Sequence, residues 1–230
     1  DEDVNRAVIS ARAAFDDGRW RDLAPSVKKK ILLKLADLVD ADASLLGKLD
    51  AEDMGKPITM AITNVAMATS ILRYSAEAID KLFGDTYASD TTTTVSQHWV
   101  PRGVVAAIIP WNVPSLSTLV KVAPTLAGGN SIVLKPSELS PRSALHIAKL
   151  ALDAGVPPGV FNVVPGLGHT VGKALGLHND IDMIAFTGST AVGKLMLQYA
   201  GQSNMKVAHV EWGGKSPQIV FADCHDLDEV

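Results

Sequence analysis

The chain has 230 residues, of which 47% are hydrophobic and 20% are charged, proportions typical of a globular protein and not of a disordered or fibrous one. Its 21 basic and 25 acidic side chains leave a net charge of −4, so no basic surplus favours nucleic acid or an anionic membrane surface. The longest apolar run, 104–110, is far shorter than the roughly 18 residues of a membrane-spanning helix, and no charged-then-apolar leader opens the chain. We therefore expect neither a nucleic-acid partner nor a membrane partner.

The cysteine and histidine content and the two ends of the chain lead to three further predictions. The single cysteine, Cys224, cannot form an internal disulfide, which favours a reducing compartment and predicts a cytoplasmic location. The six histidines and this cysteine lack metal-ligand spacing, so we expect no metal site. The chain begins at Asp1 and ends at Val230 in what resembles the start of a helix, so we expect a fragment of a longer protein.

The first third of the chain has the apolar spacing of helices. Apolar residues recur at helical intervals from Val27 to the glycine and proline of 55–57, and a second apolar stripe begins at Ile58 and ends at Gly84. Residues 91–99 are instead rich in threonine and valine, which predicts a strand pair or an extended arm.

Beyond residue 104, short apolar runs alternate with helical stretches. The predicted strands are 104–109, 131–134, 160–164, 183–186, 206–210 and 218–221. The predicted helices are 115–127, 141–154, 169–177 and 191–200. This alternation predicts right-handed crossovers and an α/β fold, with a Rossmann-like parallel sheet and flanking helices on both faces.

Polar or glycine-rich loops follow five successive predicted strands, at the edge where ligands bind in such sheets. These loops are PWNVP at 110–114, KPSE at 135–138, GLGHTVG at 166–172, TGSTAVG at 187–193 and EWGGK at 211–215. The third has glycines one residue further apart than the usual dinucleotide fingerprint, and no acid follows the next strand. A hydroxyacid dehydrogenase of the usual Rossmann type is therefore disfavoured, and glycines that only tighten a turn remain an equal interpretation.

The second and fourth loops carry groups suited to a nucleotide. Glu138 can accept from two vicinal ribose hydroxyls while Lys135 donates, although an exposed ion pair in a turn is the plainer interpretation. Ser189 can donate to a pyrophosphate oxygen at the start of a helix, or it can be an ordinary N-cap.

The first and fifth loops carry groups suited to catalysis. Asn112 lies between two prolines and can serve as an oxyanion donor, or it can be a turn residue. Glu211 ends an apolar run and can be a partly desolvated general base, or its carboxylate can cap the amides of Gly213 and Gly214.

Four of these motifs together resemble the aldehyde dehydrogenase superfamily. The stretches IIPWN at 108–112, LKPSE at 134–138, FTGST at 186–190 and EWGGKSP at 211–217 occur in the order of that family. The resemblance covers essentially the whole chain. Within it, residues 168–169, 178–182, 203–206 and 219–224 most resemble the gamma-glutamyl-gamma-aminobutyraldehyde dehydrogenase branch.

The resemblance implies the N-terminal, cofactor-binding portion of an NAD(P)-dependent enzyme. Such an enzyme oxidises an aldehyde, here an amino-aldehyde by branch, to the acid through a cysteine thiohemiacetal and hydride transfer. The resemblance further implies a helical part at 1–84, an oligomerisation β-arm at 85–101 and a Rossmann-like NAD-binding core at 102–230. The C-terminal catalytic domain, with its Gly-Gln-x-Cys nucleophile, would lie outside this chain. The arm implies a homodimer or homotetramer.

The resemblance also assigns roles to residues. Asn112 would donate to the oxyanion, and Glu211 would activate the hydrolytic water or the thiol. The cofactor would be held by Ile109, Pro110, Trp111, Lys135, Ser137, Glu138, Gly168, Gly172, Phe186, Thr187, Gly188, Ser189, Val192 and Trp212. NAD is expected over NADP because Glu138 would repel the extra phosphate. Trp212 stands where the family usually has leucine. The alternative function is a short nucleotide-binding or assembly module without dehydrogenase activity.

Overall fold

The computed structural model describes residues 2–224 and residue 226, and the helix start expected at the end of the chain lies outside them. Four helices form the first third of the chain: α1 (Glu2–Asp16), α2 (Pro25–Ala41), α3 (Ala43–Met54) and α4 (Ile58–Ala78). The apolar pattern from Val27 to residue 55 predicts one helix, and this is wrong. Asp42 separates α2 from α3 because it leaves helical geometry, and its carboxylate lies 2.6 Å from His146 Nε2.

The remaining elements alternate between strands and helices. They are β1 (Val104–Ile108), α5 (Pro114–Ala127), β2 (Ser131–Lys135), α6 (Arg142–Ala154), β3 (Phe161–Val163), α7 (Lys173–Leu177), β4 (Met183–Gly188), α8 (Thr190–Gln202) and β5 (Val207–Trp212). All neighbouring strands pair in parallel, in the order β3-β2-β1-β4-β5. The predicted α/β class and the parallel sheet are confirmed.

The sheet lies between two apolar layers. Ala107 on β1 and Ile109 just after it face a cluster formed with α2, α4, α5 and α6, whereas Ala106 and Ile108 face a second cluster formed with α1, α7 and α8. Every residue of β1 and β2 is buried, as expected for central parallel strands covered on both faces.

Two other predictions need correction. Residues 218–221 are not a strand of the sheet, and Ile219 and Phe221 are 72% and 74% exposed, so this apolar run does not pack against the described core. The predicted helix at 169–177 begins instead with a π-helical turn, Gly168–Gly172, before α7.

The segment between α4 and β1 is an extended arm. It folds back on itself through one antiparallel bridge between Thr86 and Ser96, with Tyr87 N donating to Val95 O at 2.9 Å. The exposed large apolar residues near its two ends are Leu82, Phe83, Trp99 and Val100. Across the described part of the chain, no helix combines the length and apolar character needed to cross a membrane.

Candidate functional site

The chain order of the strands creates a switch point between β1 and β4. From β1 the chain proceeds outward to β2 and β3, and then returns to add β4 and β5 on the other side of β1. Because the strands are parallel, all the predicted site residues lie at one edge of the sheet, where such folds bind ligands.

The sixteen predicted site residues differ in their accessibility. The exposed ones are Trp111, Asn112, Glu138, Gly168, Ser189, Val192 and Glu211. The half-buried ones are Pro110, Ser137, Thr187, Gly188 and Trp212. The buried ones are Ile109, Lys135, Gly172 and Phe186.

Lys135 and Glu138 form an ion pair at the end of β2. The Lys135 side chain is only 3% exposed, and its ammonium donates to Glu138 Oε2 at 3.1 Å and to Pro136 O at 2.9 Å. Partial burial acts to raise the pKa of Glu138, but hydrogen bonds from its own amide, Lys135 and the Gly168 amide outweigh it, so the pKa lies below its usual value. The pair is therefore a charged acceptor in which the lysine is buried and the carboxylate remains accessible to solvent.

The glycine loop after β3 accommodates its unusual spacing through the π-helical turn. A π-helical turn has i to i+5 hydrogen bonding, one residue longer than an α-helical turn, and so takes up the additional residue between Gly168 and Gly172. A Cβ built at either glycine would meet nothing within 4 Å. The missing side chains therefore leave open space beside Glu138, next to the Gly168 amide.

Ser189 is the N-cap of α8. Its hydroxyl oxygen accepts from Val192 N at 3.3 Å, which is the plainer of its two predicted roles. The hydroxyl proton is still able to donate outward, and α8 directs the positive end of its dipole to this exposed position.

Two aromatic rings pack around the first turns of α8. A Cβ at Gly193 would lie 2.3 Å from Cε3 of Trp212, and a Cβ at Gly188 would lie 2.6 Å from Cζ of Phe186. The rings therefore occupy the space that these glycines leave. In contrast, Trp111 is half exposed, at 50%.

The two candidate catalytic residues both have exposed side chains. Asn112 is held through its backbone carbonyl, which accepts from Lys56 Nζ at 2.8 Å. The Glu211 side chain is 55% exposed and pairs with Lys215, so the predicted desolvation of Glu211 is wrong for the described chain. Within the described part of the chain, the Glu211 carboxylate also makes no hydrogen bond to the amides of Gly213 and Gly214, so the alternative capping role is not observed. Lys215 lies four residues further on and reaches the carboxylate instead.

The sequence interpretation missed Lys121, on the inner face of α5. Burial lowers the pKa of Lys121, and the negative charge of Glu211 opposes that shift. Lys121, Ser117, Thr187 and Glu211 line a cavity of about 500 Å³ between α5 and the ends of β4 and β5. The available signal was that Lys121 is the single charged residue in an otherwise uncharged helix.

Within residues 2–224 and 226, no group of three or more histidine, cysteine or acidic side chains is arranged to hold a metal ion. Cys224 is half-buried, and its Sγ donates to Asp226 O at 3.3 Å.

The strand order and the strand-end loops define a doubly wound α/β fold of the Rossmann type. Comparison with known proteins is more specific: the chain belongs to the aldehyde dehydrogenase family, whose model matches residues 1–230.

Three similar proteins illustrate this relationship. The NADP/NAD-dependent aldehyde dehydrogenase PuuC of Escherichia coli K12 is 50% identical over 228 residues, covering 99% of this chain and 46% of PuuC. The gamma-glutamyl-gamma-aminobutyraldehyde dehydrogenase structure from Burkholderia cenocepacia J2315 has 52% identity and a TM-score of 0.93, covering 100% of this chain and 46% of that one. The structure of P. syringae AldA, an indole-3-acetaldehyde dehydrogenase in complex with NAD+ and IAA, has 50% identity and a TM-score of 0.93, covering 99% and 46%. The chain thus spans about half the length of these relatives.

Proposed function

We propose that this chain is the cofactor-binding portion of an NAD-dependent aldehyde dehydrogenase that oxidises an aldehyde to the carboxylic acid. Family membership over residues 1–230 and the NAD+ complex of a 50% identical structure support the reaction and the cofactor. The alternative of a short assembly module without dehydrogenase activity is not favoured, since the motifs of the family are present in order.

The observation that carries the proposal is the fixed Lys135–Glu138 pair beside Gly168. The Glu138 carboxylate, with its pKa held low, is an ionised acceptor for two vicinal ribose hydroxyls. The open space at Gly168 fits the approach of a sugar to the loop backbone. The same carboxylate would repel a 2′-phosphate, so we propose NAD as the preferred cofactor and NADP as the weaker one.

The remaining strand-end residues would serve the rest of the cofactor. Ser189 and the start of α8 would bind the pyrophosphate. Trp212 and Phe186 would support this turn from behind, because their rings pack on Gly193 and Gly188. Bound NAD+ would supply the hydride acceptor, and the protein would supply orientation and charge.

Asn112 and Glu211 would take the catalytic roles. The exposed side-chain amide of Asn112 would donate to the developing oxyanion of the substrate. Glu211 would act as the general base, with Lys121 lining the same cavity and Lys215 paired to its carboxylate. The nucleophilic cysteine would come from the region that the relatives possess beyond this chain.

The substrate and the assembly are finer proposals. An amino-aldehyde is proposed from the similarity to the Burkholderia cenocepacia enzyme. We propose the division into a helical part at 1–84, an oligomerisation arm at 85–101 and an NAD-binding core at 102–230. The exposed apolar ends of the arm support a homodimer or homotetramer, and a cytoplasmic location remains a proposal.

The test is aldehyde oxidation by the complete protein. NADH formation should depend on the aldehyde, and an amino-aldehyde should give a higher kcat/KM than an aliphatic aldehyde of equal length. Absence of NADH formation with every aldehyde, in a protein that binds NAD+, would refute the dehydrogenase assignment and favour the binding module.

A further inference from the structure

The backbone on both sides of Asn112 is held by side chains from distant parts of the sequence. The carbonyl of Trp111, just before Asn112, accepts from Ser140 Oγ at 3.1 Å. The carbonyl of Asn112 itself accepts from Lys56 Nζ at 2.8 Å. These two bonds hold the carbonyls of the two planar peptide groups that flank Asn112, whereas neither bond involves its side chain.

The start of α5 fixes the other end of the same loop. Asp50, on α3, is 1% exposed, and its Oδ2 accepts from Ser115 N at 3.2 Å in the first turn of α5. The N-cap residue of α5 makes no side-chain capping bond, so Asp50 supplies the missing acceptor from another helix. The loop therefore cannot shift along the axis of α5 without breaking this bond.

Lys56 is itself well placed to act as a rigid anchor. It lies between Gly55, the left-handed end of α3, and Pro57, the N-cap of α4. This short link connects the two helices; Gly55 and Pro57 are exposed, and Lys56 is half-buried. An ammonium group donating to a carbonyl forms a charge-assisted bond, which is stronger than a neutral one.

We propose that Lys56 and Ser140 are positioning residues that aim the side-chain amide of Asn112 at the reacting oxygen. This proposal rests on the proposed oxyanion role of Asn112. Neither residue touches the substrate in this scheme, and each acts only through the peptide groups that flank Asn112. Misplacing a donor by about 1 Å can cost a large part of its catalytic effect.

The test compares Lys56→Met in two backgrounds of the complete enzyme. In the parent enzyme, Lys56→Met should lower kcat by about tenfold and leave the KM for NAD+ unchanged. In the Asn112→Ala background the same substitution should change kcat by less than about twofold, since the donor it aims is gone. Lys56→Arg should recover most of the parent kcat. Lys48→Met, on the exposed face of α3, is the matched control and should leave kcat unchanged.

Three results would contradict the proposal, and they distinguish failure of the positioning role of Lys56 from failure of the oxyanion role of Asn112. A parent-like kcat in Lys56→Met, or an equal loss in both backgrounds, would refute the positioning role alone. A parent-like kcat in Asn112→Ala would refute the oxyanion role and the positioning role with it. If Lys56→Met does not fold, Ser140→Ala gives the same two-background comparison. Its control is Ser131→Ala, a buried serine at the opposite end of β2.

Discussion

Replacing Glu138 by glutamine should reduce the preference of the protein for NAD over NADP. The substitution keeps the shape of the side chain but removes the charge that accepts from the ribose hydroxyls. The carboxylate of Glu138 is 42% exposed and is paired with Lys135, whose ammonium retains Pro136 O as a second partner. The loop should therefore keep its structure, and the change in affinity should report the lost charge.

The magnitude follows from the strength of the bonds involved. A hydrogen bond to a charged group contributes about 1.5–3 kcal/mol, and partial exposure places this one near the lower value. The affinity for NAD+ should then fall about tenfold. NADP+ loses the same acceptor. The substitution also removes the repulsion between the Glu138 carboxylate and the 2′-phosphate of NADP+, which amounts to on the order of 1 kcal/mol or more at close range. Its affinity should change by less than about threefold.

Isothermal titration calorimetry of both cofactors with the complete protein measures this directly. Glu77→Gln is the matched control, because Glu77 also pairs with a lysine, Lys29, at 2.6 Å but lies on α4. Equal weakening of NAD+ and NADP+, or unchanged affinity for both, would contradict the role assigned to Glu138.

Four further predictions concern catalysis and stability. Asn112→Ala should lower kcat by about 100-fold in steady-state assays, and an unchanged rate would remove Asn112 from the site. Glu211→Gln should keep a rapid burst of NADH and slow the later turnover in stopped-flow measurements, whereas normal turnover would exclude it as the base. Gly193→Ala should lower the Tm by several degrees because its Cβ meets the Trp212 ring, and adding Trp212→Leu should restore it; additive losses would contradict this packing. Burial raises the pKa of Asp50. Between the pKa of Asp50 in the unfolded state and its pKa in the folded state, the folded state therefore retains a proton that the unfolded state releases, and stability falls as pH rises. The Tm of Asp50→Asn should therefore rise relative to that of the parent as the pH increases above the ordinary carboxyl pKa of 3.8, and a constant difference would contradict the shift.

The parallel sheet could be predicted from the sequence because its strands are short apolar runs separated by helices. The central run at 104–109 is apolar throughout and the run at 131–134 is apolar after Ser131, which is the pattern of strands buried on both faces. The run at 218–221 has similar composition but lies exposed. Composition alone does not distinguish a strand that has a neighbour in the sheet from one that has none.

The break between α2 and α3 could not be predicted from local spacing, and the Asp42 carboxylate at this break contacts a side chain distant in sequence. Apolar spacing continues through Asp42, and the partner of its carboxylate is His146, 104 residues further on. Local periodicity carries no information about such a partner.

The candidate site was predictable to the extent that it lies in strand-end loops. Glu138 and Asn112 lie in the loops that follow apolar runs, three to four residues beyond the ends of the runs, so their edge of the sheet follows from topology. The side chains that support them were missed, because Lys56 lies 56 residues from Asn112 and Ser140 lies 29 residues from Trp111. The exposure of Glu211 was also missed, since a run of apolar residues before a carboxylate does not determine what covers it.

A structure of the complete protein with NAD+ tests the central claim most directly. The account predicts the adenosine ribose within hydrogen-bond distance of Glu138 and Lys135, and the pyrophosphate at the start of α8 beside Ser189. A cofactor bound away from the ends of β1, β2 and β4, with Glu138 still paired only to Lys135, would contradict it.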